Sequence, residues 1–408
     1  MKRITNLFLM TALLAWGTCS LRADEPQQAI LAAAAPNAAG IYWHAFAAFP
    51  SLNDEEKKLL RAAIPTEMAP LSEELAPIVA RYGRALHELH RARAVVPCDW
   101  QLDMAAGAGL ILPHVDKALE LSRVALLRAR QRFASGETDA ALSDVLAVFK
   151  LARDCGSSPL VISMYVDSGI EESATDVLAS QLTRLNMDQI RQLTTALNEL
   201  PPSNDLATTI LQDQRMSCDW LEGEINKEVA RLNDPKAAGQ AFLTITEPLI
   251  FKGGPSPTDE EAAKDKRKAD LLKSLSFGDI QESFQQQRSS YAELHKIAGL
   301  PFTERAERVK SLVKSPASAS KMKTREDAMR YVSTVLMPFD WNDVFTREEQ
   351  MHVRHQLLEH ALRVQLQGAD ALQEIHGKKV AYRMTANGFE LSCPVGDKPE
   401  VLTVGSSK

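Results

Sequence analysis

The chain lacks the short motifs that mark several common classes of enzyme. Its 408 residues contain no GxSxG, no GxxxxGK[S/T] loop and no GxGxxG. The sequence therefore does not indicate an α/β-hydrolase, a P-loop nucleotidase or a dinucleotide-binding enzyme. It also lacks a CxxC pair, which argues against a compact zinc site.

Aromatic residues are scarce, at 6% of the chain, although 45% of the residues are hydrophobic. Because strands concentrate aromatic and β-branched residues, a composition rich in Ala and Leu favours helices. There is no excess of positive charge either, since the formal net charge is −6 at pH 7. We therefore expect no nucleic-acid partner and no electrostatic attraction to anionic lipid.

The first residues have the three-part pattern of a secretory signal peptide. Lys2 and Arg3 form a positive n-region, residues 7–16 form an uncharged, largely apolar stretch, and small residues follow. A spanning helix needs ~20 apolar residues, about twice the length of this stretch. We therefore predict a cleaved signal peptide at residues 1–23, export to the periplasm or the extracellular space, and no membrane span after its removal.

The cleavage site leaves two alternatives open. Cleavage after Ala23 is preferred and cleavage after Ser20 is the alternative. Cys19 also raises the possibility of a lipid anchor, but Trp16 stands where a lipobox has Leu, so this is the lesser alternative. Removal of residues 1–23 takes away three positive charges and no acid, which leaves a formal charge of about −9.

Composition shifts predict the domain organisation of the remaining chain. A Gly- and Pro-containing charged stretch at residues 252–270 is the best internal boundary. It separates an N-terminal helical domain at 24–251 from a C-terminal helical region at 271–376. A β-hairpin and tail at 377–408 follow.

Apolar periodicity predicts helices through most of the mature chain, most clearly at residues 117–154. There, two helical patterns are joined by a turn that contains Gly136. Such a pair is an αα-hairpin, and it resembles a tetratricopeptide unit with Ala129, Gly136 and Ala141 at its small positions. No tandem copies are evident, so a single pair within a larger helical domain is favoured. We predict an all-α fold, a multi-helix array of αα-hairpins that is weakly tetratricopeptide-like, with a small C-terminal β-hairpin.

The end of the chain changes character. Residues 380–385 alternate in polarity, and Asn387-Gly388 separates them from a second alternating run. Asn-Gly in this context predicts a β-hairpin. The helix that precedes the hairpin is predicted at residues 346–374, with a capping box between Thr346 and Glu349 at its start.

Six segments spread along the chain carry a pattern beyond single motifs. They are 37–46 (NAAGIYWHAF), 98–103 (CDWQLD), the helix pair at 119–153, 200–203 (LPPS), 218–222 (CDWLE) and 377–391 (GKKVAYRMTANGFEL). Together they resemble a family of uncharacterised exported bacterial proteins, in which a signal precedes a helical body and a Gly-Lys-x-x-x-Tyr-Arg hairpin closes the chain. The resemblance implies export and the architecture above, and it implies no activity.

The dipeptide Asp-Trp occurs three times and supplies the candidate binding residues. The copies are Asp99-Trp100, Asp219-Trp220 and Asp340-Trp341. If they converged on one pocket, a carboxylate beside an indole could bind a sugar or a cation. The alternative is that each pair places an Asp cap and a buried Trp near a helix end.

Four cysteines follow the predicted signal. In an oxidising compartment an even number permits two disulfides. Cys98 and Cys218, both in a Cys-Asp-Trp context, are the favoured pair. Buried free thiols are the alternative for all four, because cysteine is among the most buried residue types.

Two histidine groups and one acidic helix are candidate metal-binding or acid–base sites. His87 and His90 share a helix face, with Cys98 and His114 near in sequence, but a solvated helix surface is favoured over a metal site. The same applies to His352, His355 and His360, so no metal and no cofactor is predicted. Four acids within one helix could act as acid and base or bind a metal, and a solvated acidic face is the alternative. They are Asp167, Glu171, Glu172 and Asp176.

These observations predict a non-catalytic scaffold or interaction protein of the bacterial envelope that presents a helical groove to a protein or peptide. The alternative is an envelope hydrolase that acts on glycans. Its carboxylates would lie in an Asp-Trp-lined cleft or on the acidic helix.

Overall fold

A computed structural model describes residues 36–405, apart from 68, 251–265, 267–268, 313–322, 337–338 and 397. The predicted signal peptide with both cleavage sites, Cys19, and most of the predicted linker at 252–270 lie outside the described residues. From Ala38 onwards the described residues belong to one compact unit.

Helices account for most of the described residues before the C-terminal sheet, which confirms the predicted all-α class. The helices of the first half are α1 (Ala38–Ala47), α2 (Asp54–Ala62), α3 (Leu75–Arg81), α4 (Gly83–Arg93), α5 (His114–Ala134), α6 (Thr138–Cys155), α7 (Val161–Gln181) and α8 (Met187–Asn198). Those of the second half are α9 (Leu206–Gln214), α10 (Trp220–Leu232), α11 (Ala238–Ile250), α12 (Phe277–Ala298), α13 (Phe302–Leu312), α14 (Arg325–Val335) and α15 (Trp341–Gln367). Residues 269–273 are also helical.

Short helical turns connect several of these helices. A π turn at Arg215–Asp219 joins α9 to α10, and 3₁₀ turns lie at Met104–Gly109, Leu182–Arg184, Pro235–Ala237 and Ala369–Ala371. Among the described residues, no helix combines the length and the apolar character that crossing a membrane requires.

The predicted helix pair is confirmed as α5 and α6. Gly136 in the connection has φ of +81°, a conformation that glycine adopts without the Cβ clash of other residues. The start predicted for the last helix is wrong. α15 begins five residues before Thr346, because Asp340 caps it by accepting a hydrogen bond from the N–H of Asn342 at 3.0 Å.

The buried apolar residues form two hydrophobic clusters. Core A combines α1–α6, most of α7, α8, the second half of α15 and the sheet. Core B combines the start of α7 with α9–α14 and the start of α15. Only α7 and α15 among these helices supply buried residues to both cores.

Helices α7 and α15 run parallel. Val161 at the start of α7 and Trp341 at the start of α15 lie in core B, whereas Leu178 and Leu362 near their ends lie in core A. Two parallel helices need a connection that returns along the length of one helix. Here that connection contains α8–α14. The side chains between the two cores are polar, and they include the acidic residues of α7.

The C-terminal sheet has three antiparallel strands in the order β1 (Ala381–Thr385), β2 (Gly388–Val395) and β3 (Lys398–Gly405). The predicted hairpin is confirmed as β1 and β2, and β3 is an additional strand. One face is apolar because Phe389, Leu391, Cys393 and Val395 alternate along β2 and are buried in core A. This face packs on α7 and α15, as a small sheet requires for stability.

Candidate functional site

The first Asp-Trp pair lies in the loop between α4 and α5. Trp100 is buried in core A, where its ring stacks on His114 with 4.3 Å between centroids. Its indole N–H donates a hydrogen bond to the carbonyl oxygen of Asp154 at 2.8 Å. Asp99 is exposed and accepts a hydrogen bond from the N–H of Gln101. The indole is therefore a core residue, and the aspartate closes a local turn.

The second pair lies where the π turn meets α10. Asp219 accepts a hydrogen bond from Nε of Arg288 on α12 at 3.0 Å, and Glu222 binds the same guanidinium. Trp220 is half-buried and covers Gly107, where an added Cβ would overlap the indole ring. This pair therefore joins α10 to α12 and to the loop that carries Trp100.

The third pair starts α15. Asp340 caps the helix, and Trp341 is fully buried in core B, with its ring edge-on to Tyr291 at 5.9 Å. Each of the three pairs is thus held by its own neighbours, as helix caps, turns and core residues. The structure does not assemble them into one carboxylate-and-indole pocket.

The four cysteines within the described residues are free thiols. Cys98 packs against core A, whereas Cys218 lies inside core B, so the favoured pair is not formed in this structure. Cys155 and Cys393 are buried in core A. Burial raises the pKa of the Cys98 and Cys218 thiols above its ordinary value, which makes them poor nucleophiles.

The acidic residues of α7 face α15 instead of forming a solvated acidic surface. Asp167 and Glu171 are buried, and Glu171 is also bound by Arg153 of α6 at 2.8 Å. The ion pairs between the two parallel helices are Glu171–His355, Glu172–Arg347 and Asp176–Arg354. The basic side chains of α15 thus neutralise most of the charge that made this helix a candidate site.

Asp167 and Glu171 titrate in opposite directions. Burial, followed by the nearby charge of Glu171, raises the pKa of Asp167 to about 7. Burial also acts to raise the pKa of Glu171, but the hydrogen bond from His355 and the charge of Arg153 outweigh it and lower that pKa. Asp167 Oδ1 and Glu171 Oε2 are buried without a hydrogen-bond partner. Opposed pKa values of this kind are what an acid–base pair requires.

The space beside this pair is small. The cavity lined by Glu171, His355, Arg347 and Arg354 encloses about 20 Å³. That is room for about one water molecule. A sugar ring does not fit in this cavity, so Asp167 and Glu171 have no room for a glycan beside them.

The histidines of α15 belong to the same polar layer between the cores. His355 contacts Glu171 at 3.0 Å and Glu359 at 3.4 Å, and the hydrogen bonds that it donates to these two carboxylates raise the pKa of His355 to about 9. His352 packs edge-on against Phe302, and His360 is buried. Within the described ranges, no three His, Cys, Asp or Glu side chains are placed to bind a metal ion.

His87 and His90 of α4 have different surroundings. His87 is exposed, whereas His90 Nε2 lies 2.7 Å from the buried carboxylate of Asp144 on α6. Burial acts to raise the pKa of Asp144, but the hydrogen bonds from His90 and Arg128 and the charges of Arg128 and Arg132 outweigh it and lower that pKa. Of the two histidines, His87 therefore lies on the surface, and His90 belongs to a cluster of charged residues around Asp144.

A groove of about 980 Å³ lies between α2, α5 and α7. We call it the α2–α5–α7 groove. Its apolar lining includes Phe49, Leu52, Leu60, Leu126 and Ile170. Helix α7 contributes Gly169 and Ser173, and a Cβ added at Gly169 would meet no atom within 4 Å. The small residues of α7 therefore leave the groove open.

Helix α2 forms one wall because its short amphipathic sequence has a single buried apolar residue. Asn53 caps the helix through a capping box with Glu56. Leu60 then faces inward, while Lys57 and Arg61, one turn apart, are exposed on the rim of the groove.

The opposite wall is the first half of α5. Lys117 is exposed on its rim, 5.2 Å above the ring of Phe49. Leu119 is 40% exposed, which is unusual for a leucine in this well-packed helix. Arg123 donates a hydrogen bond to the carbonyl oxygen of Arg61 at 3.0 Å and so attaches the end of α2 to α5.

The rim of the groove carries charges of both signs. Glu120 accepts a hydrogen bond from the Tyr82 hydroxyl, and Asp176 is bound by Arg354. Lys57 lies 3.5 Å from Asp54, and Asp116 is the third acid in the lining.

The sequence alone does not indicate this groove. The residues that come nearest to indicating it are Gly169 and Ser173, two small residues one turn apart on α7, and Leu119 on α5. Neither signal is specific, because small residues also permit close helix packing. Comparisons of the chain with models of protein families, with curated proteins and with solved structures give no match.

Proposed function

We propose that this protein is an exported, non-catalytic scaffold of the bacterial envelope that holds a segment of a partner protein in the α2–α5–α7 groove. The proposal includes export by the N-terminal signal and membership of the exported helical family that the sequence resembles. The observation that carries it is the groove itself, with an apolar floor and a charged rim.

The size and lining of the groove support this use. Its volume of about 980 Å³ is at the upper end of the range for ligand sites. The apolar floor can bury anchor side chains of a partner, and the exposed bases can orient it. Leu119 is the exposed apolar residue that a bound segment would cover.

A hydrolase is the second candidate, and Asp167 and Glu171 are the observation in its favour. Their opposed pKa shifts suit general acid–base chemistry. The adjoining cavity of about 20 Å³ supports this candidate less than the groove supports the scaffold. The Asp-Trp pairs add no support, because each is engaged by its own neighbours.

The test fills the groove without disturbing the core. Gly169→Phe places an aromatic side chain in the open space over α7, and Gly40→Phe is the matched control. Both glycines lie within helices, and an added Cβ at either meets no atom within 4 Å. Each variant and the wild type would carry a photo-crosslinking residue in place of Leu119 and be irradiated in envelope extracts.

The scaffold proposal expects one crosslinked protein in the wild type and in Gly40→Phe, and at least about a tenfold loss of it in Gly169→Phe. Equal crosslinking in all three proteins would rule out the groove as the binding site. For the hydrolase, purified chain would be incubated with envelope glycans. Release of soluble sugar that is lost in Asp167→Asn but kept in Gly169→Phe would favour the second candidate over the first.

A further inference from the structure

Another group of charged residues lies where α4, α5 and α6 meet. At its centre, Asp144 is fully buried. Its carboxylate accepts hydrogen bonds from Arg128 Nε at 3.0 Å, Arg128 Nη2 at 2.5 Å and Arg132 Nη1 at 2.8 Å, and it lies 2.7 Å from His90 Nε2. One carboxylate is therefore shared by three basic side chains from two helices.

Arg93 adds a further positive charge at the same place. Its Nη1 lies 3.4 Å from the hydroxyl of Ser143, the residue before Asp144, and that hydroxyl lies 3.5 Å from His90 Nδ1. In the part of the chain that the structure describes, no carboxylate pairs with Arg93. Burial alone lowers the pKa of Arg93, with no acid acting against it.

The cluster has more positive charge than the fold requires. A bidentate arginine already satisfies a buried carboxylate well. Here Arg128 and Arg132 bind Asp144 and Arg93 contacts the neighbouring Ser143, so three arginines and one carboxylate give a formal charge of +2 before His90 is counted. Surplus charge of one sign at a fixed place is costly unless solvent or a counter-ion compensates it.

The arginines also have N–H groups that make no hydrogen bond to the described residues. Arg128 Nη1, Arg132 Nη2 and Arg93 Nη2 have no acceptor among the described residues, and the side chains of Arg128 and Arg132 are 20% and 28% exposed. Asp144 holds two of these guanidinium groups rigid, so they would lose little further freedom on binding a ligand.

We propose that Arg93, Arg128 and Arg132 form a binding site for a phosphate group, with Asp144 and His90 as the residues that position them. A phosphate monoester carries a charge of about −2 and three acceptor oxygens, which matches the surplus charge and the donors that two helices supply. A carboxylate offers one charge and two oxygens and matches less well. This inference does not depend on the proposed function of the groove.

The test measures binding of inorganic phosphate to the full chain by isothermal titration calorimetry at low ionic strength. Arg93→Gln is the main variant, because Arg93 has only one weak protein contact and its loss should spare the fold. Arg91→Gln is the matched control. Arg91 lies two residues away on α4 and is exposed, and its one ion pair among the described residues is with Glu88.

We expect saturable binding that Arg93→Gln weakens about tenfold or more and Arg91→Gln changes less than about twofold. Gly169→Phe should leave phosphate binding unchanged, so failure here is distinct from failure of the groove proposal. The absence of saturable binding up to about 10 mM phosphate would overturn the inference, as would an equal loss in Arg91→Gln and Arg93→Gln.

Sedimentation with vesicles identifies the source of the phosphate group. The chain would be spun with vesicles of phosphatidylcholine alone and with vesicles that also contain phosphatidic acid. Retention only on the second, lost in Arg93→Gln, would assign a lipid headgroup. Calorimetric binding without retention would assign a soluble phosphate compound.

Discussion

His114 provides the sharpest test of the packing in core A. It begins α5, is fully buried, stacks on Trp100, and has no hydrogen-bond partner on either ring nitrogen. Burial lowers the pKa of His114 to about 4. The unfolded chain exposes the same ring to water, where the pKa of histidine is about 6.5.

The sign and size of the effect follow from these two values. The folded state keeps His114 neutral, while the unfolded state takes up a proton below pH 6.5. The contribution of neutral His114 to the free energy of unfolding is therefore fully present above pH 6.5, and it is lost as the pH falls towards 4. Between pH 7 and pH 5 this one group should remove about 2 kcal/mol from the free energy of unfolding.

His114→Phe keeps a ring on Trp100 and removes the titrating group. Urea unfolding at pH 7 and pH 5 should show that the wild type loses about 2 kcal/mol more than this variant between the two pH values. Val124→Ala, a truncation in the same helix, is the control, and it should lower stability equally at both. If the wild type and His114→Phe lost the same stability, His114 would not be the buried, unpaired ring described here.

Three further outcomes are expected in similar measurements. Asp167→Asn should gain stability relative to the wild type as the pH rises from 5 to 8, because burial raises the pKa of Asp167 and ionising it costs the folded state; a constant difference in urea unfolding would contradict this. Gly107→Ala should lower the free energy of unfolding by about 2–5 kcal/mol, because the new Cβ overlaps the indole of Trp220 and φ is +55°. Gly136→Ala, where the new Cβ meets open space, should lower it by only about 1 kcal/mol. Equal decreases in melting temperature for the two variants would contradict the packing of Trp220 on Gly107. Arg354→Met should lower the free energy of unfolding by about 2–3 kcal/mol, because it removes the ion pairs of α15 with Asp176 of α7 and Glu400 of β3. An unchanged melting temperature would show that these ion pairs do not stabilise the fold.

Local signals predicted the local structure. Gly136 located the turn of the α5–α6 pair, and Asn387-Gly388 located the turn between β1 and β2. Each of these depends on residues within a few positions of one another, so a single sequence is enough. β3 was missed although Gly396-Asp397 is also a hairpin turn sequence, because Pro394 and Pro399 flank it and proline is uncommon inside strands.

The contacts of the acidic helix could not be predicted in this way. Glu172 and Arg347 are 175 positions apart, and neither carries a sign that the other exists. Four acids on one helix look like a solvated face until the partner helix is in place. The groove was missed for the same reason, since its walls come from three helices that only the tertiary fold brings together.

The parallel arrangement of α7 and α15 has a consequence for how the chain folds. Core A takes buried residues from α15 and the sheet as well as from the first helices, so the protein cannot complete it until residues beyond 353 have been synthesised. Contacts such as that between Glu171 and His355, 184 positions apart, raise the contact order above that of an array of local hairpins, which slows folding. If the chain is exported as proposed, this delay would keep the N-terminal helices incompletely packed during translocation. Removal of the last strands should likewise weaken a core that begins 350 residues earlier.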